Sequence, residues 1–306
     1  MSVHSHNSLT DAILETIAYS DIFDYPLTTQ EIHRYLTLIP ESFEAVKHIL
    51  DDGGPFIKTG EYFSLPGRQE IVAVRMQRDA YSRELLPHAL RYGRVLGSLP
   101  FVRMVALTGS LAVMNVSRNA DFDYLLVTAH GRVWAARAFA ILFNRIVKRL
   151  GHTLCPNLIV SENALEWPLH DLYSARELCQ MIPITGMNVY QNLMRANRWA
   201  CDFLPNAFVE SGSWLPENPM VPVLQKVFEF FLLGRLGDRL ERWEMNRKIA
   251  RFSQQAGFGE ETIFTSEVCQ GNFHHHGKWT REVFEEKLHA LTAIRSGEPT
   301  ITAGRL

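Results

Sequence analysis

A chain of 306 residues is long enough for two domains, and 46% hydrophobic against 21% charged residues is the composition of a globular protein with a packed core. Its 31 basic and 33 acidic residues leave a net charge of -2, which excludes a global field drawing it to nucleic acid. The 4 cysteines are scattered without a CxxC pair and read as reduced thiols rather than a secreted disulfide framework. MSVHSHNSLTD lacks the layout of a signal peptide, and no apolar run is long enough to span a bilayer. A cytoplasmic chain with no membrane partner is expected.

SLTDAILETIAYS opens with a cap signal, and Ile13, Leu14, Ile17 and Ala18 recur at helical spacing. Thr28-Thr29 after Pro26 starts a second helix, with Ile32, Tyr35 and Leu36 on one face. SFEAVKHILDDGG reads as a third helix ended by Gly53-Gly54. PFIKTGEYFSLPGR reads as a hairpin turning at Thr59-Gly60. Three helices and a hairpin follow the order of a winged helix over residues 1-68; a plain helical cap is the competing account. The third helix offers only Lys47 and His48 as phosphate contacts, against Glu44, Asp51 and Asp52, so DNA binding by this region is not favoured.

From Arg68 to Leu99 the pattern is a basic amphipathic helix or helix pair, interrupted near Pro87. FVRMVALTGS and ADFDYLLVT read as strands, GRVWAARAFAILFNRIVKRLG as a long helix and LCPNLIVS as a further strand. After Pro168 the pattern is helical to about residue 294, and the tail 295-306 reads as frayed.

The chemistry concentrates in LTGSLAVMNVSRNADFDYLLV. Residues i and i+2 of a strand share a face, so Asp121 and Asp123 aim at one spot while Phe122 and Tyr124 face the interior. Two carboxylates so close call for a cation, and magnesium, which takes oxygen ligands and keeps its waters, suits them; manganese is the alternative. Gly109 lets a phosphate approach the backbone, and Ser110 can donate to it. A nucleoside triphosphate held by this turn is then set for attack at its α-phosphate. Arg118, in the loop before the acids, is a further candidate phosphate contact.

This segment resembles the signature of the DNA polymerase β-like nucleotidyltransferase superfamily: an apolar strand, Gly-Ser, a loop of about ten residues, then Asp-apolar-Asp-apolar. The likeness spans residues 100-165, and its sharp part is shorter. It implies an α/β (α+β) chain: a small mixed-sheet nucleotidyltransferase core at 69-167, an N-terminal winged-helix-like domain and a C-terminal helical region at 168-294. It also implies a metal-dependent transfer of a nucleoside monophosphate to an acceptor, which is RNA, a protein or a small molecule. Such proteins usually supply a third carboxylate from a later strand; LCPNLIVS has none, and Asn157 stands about where it is expected, with Glu162 and Glu177 as substitutes. An active enzyme and a degenerate nucleotide-binding regulator whose N-terminal domain binds DNA or a protein therefore both remain open.

Other motifs lead nowhere sharper. Cys269 with His274, His275 and His276 lacks zinc-site spacing and reads as a polar loop. Ser110 has no His/Asp partner motif, and the glycines form neither a Walker loop nor a dinucleotide turn. FEFFLLGRLGDRLERWEMNRKIARF has the apolar and basic faces of a membrane-surface helix, but a packing helix is the simpler account. Gln180 and Glu177 are candidates to line a nucleotide or acceptor cleft.

Overall fold

The computed structural model describes residues 8-118, 121-208, 223-259 and 261-296. The chain falls into two compact units, one of residues 1-76, 201-207 and 276-306, the other of residues 77-200 and 208-275. In chain order the elements are α1 (Leu9–Asp21), β1 (Leu27–Thr28), α2 (Thr29–Arg34), α3 (Phe43–Asp52), β2 (Ile57–Thr59), β3 (Tyr62–Ser64) and α4 (Ile71–Gly97). Then come β4 (Val102–Leu107), α5 (Gly109–Ala112), β5 (Phe122–Thr128), α6 (Val133–Lys148), β6 (Leu154–Ser161), α7 (Leu172–Gln180) and β7 (Ile182–Thr185). The remainder is α8 (Met187–Ala196), α9 (Val223–Phe231), α10 (Arg235–Phe252), β8 (Thr262–Phe264), β9 (Val268–Gly271) and α11 (His276–Ser296). Among the described residues no helix is long and apolar enough to cross a membrane.

The first unit is built from well-capped short helices. Ser8 accepts from the Asp11 amide at the start of α1, Ser42 caps α3, and Thr28 with Glu31 forms a reciprocal capping box on α2. Ile13, Ile17, Ile32, Leu36 and Val46 are buried in it, and its small antiparallel sheet has the order β1-β3-β2. The last helix, α11, belongs here: Phe284 packs edge-on to Tyr19 at 5.3 Å, and Lys287 donates to Asp21 at 2.6 Å. The expected C-terminal helical region is therefore divided between the two units.

The second unit is a mixed sheet in the order β7-β4-β5-β6-β9-β8. β4 is antiparallel to β5, and β5 is parallel to β6, with α6 as the connection between them. The strands β7, β8 and β9 fall in stretches read from the sequence as helical or polar loop. Each is 3 or 4 residues long, too short to carry a pattern of its own, and exists by pairing with β4, β6 or each other. The helix α4 runs unbroken through Pro87. The lost backbone bond there is offset by burial of Ala89, Tyr92 and Leu96 in the core. In contrast, the long helical stretch after residue 222 breaks into α9 and α10.

Candidate active site

The site forms where β4 ends and β5 and β6 begin. The Thr108 amide donates to the Asp123 carbonyl at 2.9 Å, carrying the β4–β5 pairing one residue beyond the strand. The chain then turns at Gly109, whose φ is +66°, into the short helix α5. A β-carbon on residue 109 would lie 2.5 Å from Asp123 Oδ2, so only glycine lets the turn lie against that carboxylate. The loop after Ser110 is fastened: the Asn115 amide donates to the Ser110 carbonyl at 2.8 Å, Arg78 donates to Asn115 Oδ1 at 3.2 Å, and the Val116 amide donates to Ser82 Oγ at 3.2 Å.

Along β5 the alternation is the expected one. Phe122 and Tyr124 are buried, and the Tyr124 hydroxyl donates to the Ala89 carbonyl at 2.7 Å. On the other face Asp121 is exposed and Asp123 half-buried. Arg118 is exposed in the loop before them, and residues 119-120 lie outside the described residues.

The neighbour of Asp123 on β6 is Cys155, not Asn157. The β5–β6 register pairs Asp123 with Cys155 and Tyr124 with Pro156, then slips so that Leu125 faces Leu158. Asn157 is the residue left over in this bulge, and it is exposed. The Cys155 thiol instead hydrogen-bonds the Asp123 carboxylate. Burial, then the charges of Asp123 and Asp121, push that thiol up to about 12, so it stays protonated and donates. No sequence signal marks Cys155, because a one-residue slip between strands leaves no trace in composition.

Of the two substitutes for a third acid, the structure brings one to the site. Glu162 follows β6 at its far end, 7 residues past Cys155 and roughly 20 Å along the strand, where its carboxylate accepts from the His130 amide. Glu177, half-buried on α7, lies within electrostatic reach of Asp123 and accepts from Gln180 Nε2 at 2.5 Å. Burial first, and the Asp123 charge second, push Glu177 up to about 7. Burial and the Asp121 charge push Asp123 up to about 6, against the pull of the Cys155 hydrogen bond. The cluster thus carries carboxyls whose charges oppose one another in a poorly solvated place, a condition that a cation or a proton relieves.

Among the described residues no three His, Cys, Asp or Glu side chains are grouped as a metal-enclosing set. Asp121, one residue before β5, and Asp123 on it are close enough for the charge of one to act on the other. Compared with protein families, curated proteins and solved structures, the chain matches none.

Proposed function

We propose that the second unit is a nucleotidyltransferase core that transfers a nucleoside monophosphate from a nucleoside triphosphate to an acceptor and releases pyrophosphate. The observation that carries this reading is the Gly109 turn lying against the Asp123 carboxylate, with Ser110 beside it. An antiparallel β4–β5 pair followed by a parallel β5–β6 pair, with the turn and the acids at one end, supports the same reading. In it, Gly109 and Ser110 hold the β- and γ-phosphates, and Arg118 is a further phosphate contact.

Asp121 and Asp123 fit magnesium, or manganese, because such an ion needs only one or two carboxylates when waters and phosphates complete its shell. Burial first, and the charge of Asp121 after it, raise the proton affinity of Asp123, a condition that a bound cation would relieve. When bound, the ion supplies charge neutralisation at the reacting phosphate. The acceptor hydroxyl oxygen forms a bond to the α-phosphorus, the bond to the β-phosphate oxygen breaks, and the hydroxyl proton leaves with a base. Asp123 and Glu177 frame that centre, while the bulge takes Asn157 away from the Asp123 register position.

A second reading has one observation in its favour. Cys155, which brings no negative charge, stands beside Asp123 where a third acid would strengthen the site. A core of this kind holds a nucleotide without turning it over and acts as a regulator. The first unit, with helices and strands in winged-helix order, gives this regulator little to read DNA with. On α3 His48 is paired with Asp52 at 2.8 Å, and Lys58 of β2 reaches Asp51 at 3.6 Å. Cysteines outside any disulfide are in keeping with a cytoplasmic setting.

Thermal melts of the purified chain with each of the four nucleoside triphosphates, with and without magnesium, test both readings. A ligand held only by the native state raises the melting temperature by mass action. The expected result is a magnesium-dependent rise with at least one triphosphate, lost in Asp123→Asn. Pyrophosphate release with that nucleotide then separates the enzyme from the regulator. No rise with any triphosphate overturns both.

A further inference from the structure

On the second unit, well away in sequence from the Gly-Ser turn, α6 and α10 pack together by polar anchors. Glu241 accepts from the Trp134 and Ala135 amides at 2.7 Å each, at the N-terminus of α6, and Arg132 donates to Asp238 at 2.8 Å. Packing therefore accounts for one face of α10. The face adjoining it, one residue round the helix from Gly237, Glu241 and Glu244, is open to solvent and apolar: Leu236, Leu240 and Trp243 recur at i, i+4 and i+7. The outer face of α6 does the same with Leu142 and Ile146, in line with Phe139, and these five exposed side chains are 45% to 62% accessible. Between the two stripes lies a cleft of about 210 Å³, lined by Phe139, Leu232, Leu240 and Trp243 among others.

The exposed charges next to the α10 stripe are one-sided. Arg235, Arg239 and Arg242 each precede a member of the α10 stripe and are exposed, as are Arg145 and Lys148 on α6. The acids of α10 are paired: Asp238 with Arg132, Glu241 with the α6 amides, and Glu244, which lines the cleft, with Arg247. Between Val133 and Lys148, α6 has no acid at all. In a chain of net charge -2 this is a local segregation of cations around an apolar groove.

We infer that the α6–α10 groove is a docking site for an acidic amphipathic helix of a partner protein. Apolar anchors of such a helix at i, i+3 or i+4 and i+7 enter the cleft between the two stripes, and its acids meet the arginine rim. The concave apolar cleft favours inserted side chains over a flat lipid surface. A second copy of this chain would bring the same arginine rim to the contact.

The test uses the full chain and a short fluorescein-labelled helical peptide with leucines at that spacing and glutamates on its flanks, read by anisotropy. A control peptide carries lysines in place of the glutamates. The glutamate peptide is expected to bind saturably, and the lysine peptide about tenfold more weakly or worse. Leu240→Glu weakens the glutamate peptide by at least about tenfold, and Arg235→Glu with Arg239→Glu reverses the preference between the two peptides. These side chains are exposed, and unchanged melting temperatures verify that the variants fold. Failure of the glutamate peptide to bind overturns the inference, as does equal binding of both peptides. So does binding to phosphatidylserine-containing vesicles in place of the peptide, or self-association that Leu240→Glu abolishes.

Discussion

The backbone of Gly109 and the carboxylate of Asp123 occupy adjoining space, so close that a β-carbon on residue 109 would stand 2.5 Å from Asp123 Oδ2. One residue thus sets the turn and the clearance for an acid on the neighbouring strand. Replacing it tests both at once. Gly109→Ala forces a left-handed backbone on alanine and displaces the carboxylate, with an expected loss of about 1–2 kcal/mol in denaturant unfolding. Any triphosphate-induced rise in melting temperature should vanish with it. A variant that keeps both wild-type stability and the rise would show that the turn tolerates a side chain and that the contact is incidental.

The raised carboxyls give the fold a pH dependence of definite sign. Asp123 moves from 3.8 to about 6 and Glu177 from 4.5 to about 7, so the folded state holds their protons more tightly than the unfolded chain. Their stabilising contribution is complete below about pH 4 and is lost as pH rises through 6 to 7. Urea titrations should show wild type losing stability across that window, by on the order of 2–3 kcal/mol from each group. Asp123→Asn should flatten the lower part of the decline and Glu177→Gln the upper part. Identical slopes in wild type and both variants would sink the account.

Glu241 satisfies two amides at the start of α6, the helix that joins β5 to β6. Glu241→Ala strands both donors at a helix terminus, with an expected cost of about 2 kcal/mol. Glu241→Gln keeps an acceptor oxygen and should cost less. The comparison is made on urea midpoints at constant slope; an alanine variant as stable as wild type would mean that water replaces the carboxylate without penalty.

In the first unit the buried carboxylate of Asp21 accepts from Arg68 at 3.0 Å and from Lys287 at 2.6 Å, tying α1 to the segment before α4 and to α11. Asp21→Ala leaves Lys287 without this partner while Arg68 keeps Asp24 and Glu70, and with both cations partly open to solvent a loss of about 1–2 kcal/mol is expected. Lys287→Met, which removes one cation and leaves the Arg68 pair, should cost less. If the two variants melt alike, Asp21 acts through packing rather than charge.

Much of the fold is legible in the residues themselves. Ser8, Thr28 and Ser42 announce helix starts because their side chains bond the first free amides, and those helices begin there. The run LCPNLIVS is strand β6 from end to end, and Phe122 and Tyr124 turn inward as strand alternation requires. Where short-range pattern is weak, legibility stops. The strand β7 is four residues containing Pro183, and its existence depends on β4 lying alongside. Pro87 reads as a break, yet α4 continues, because burial of the residues after it outweighs one missing bond.

The acids and the Gly-Ser turn are a property of the sequence by itself. Period-two alternation puts Asp121 and Asp123 on one face, and glycine is the residue that a left-handed turn takes. What stands opposite them was decided by the tertiary structure alone. A one-residue slip between β5 and β6 sets Cys155 against Asp123 and leaves Asn157 in the bulge. The packing of α7 brings Glu177 within reach while Glu162 lies at the far end of its strand. The physical reason is range: alternation and turn chemistry act between neighbours a few residues apart, whereas register and helix placement are fixed by contacts between segments tens of residues apart, whose energies no local window of sequence contains.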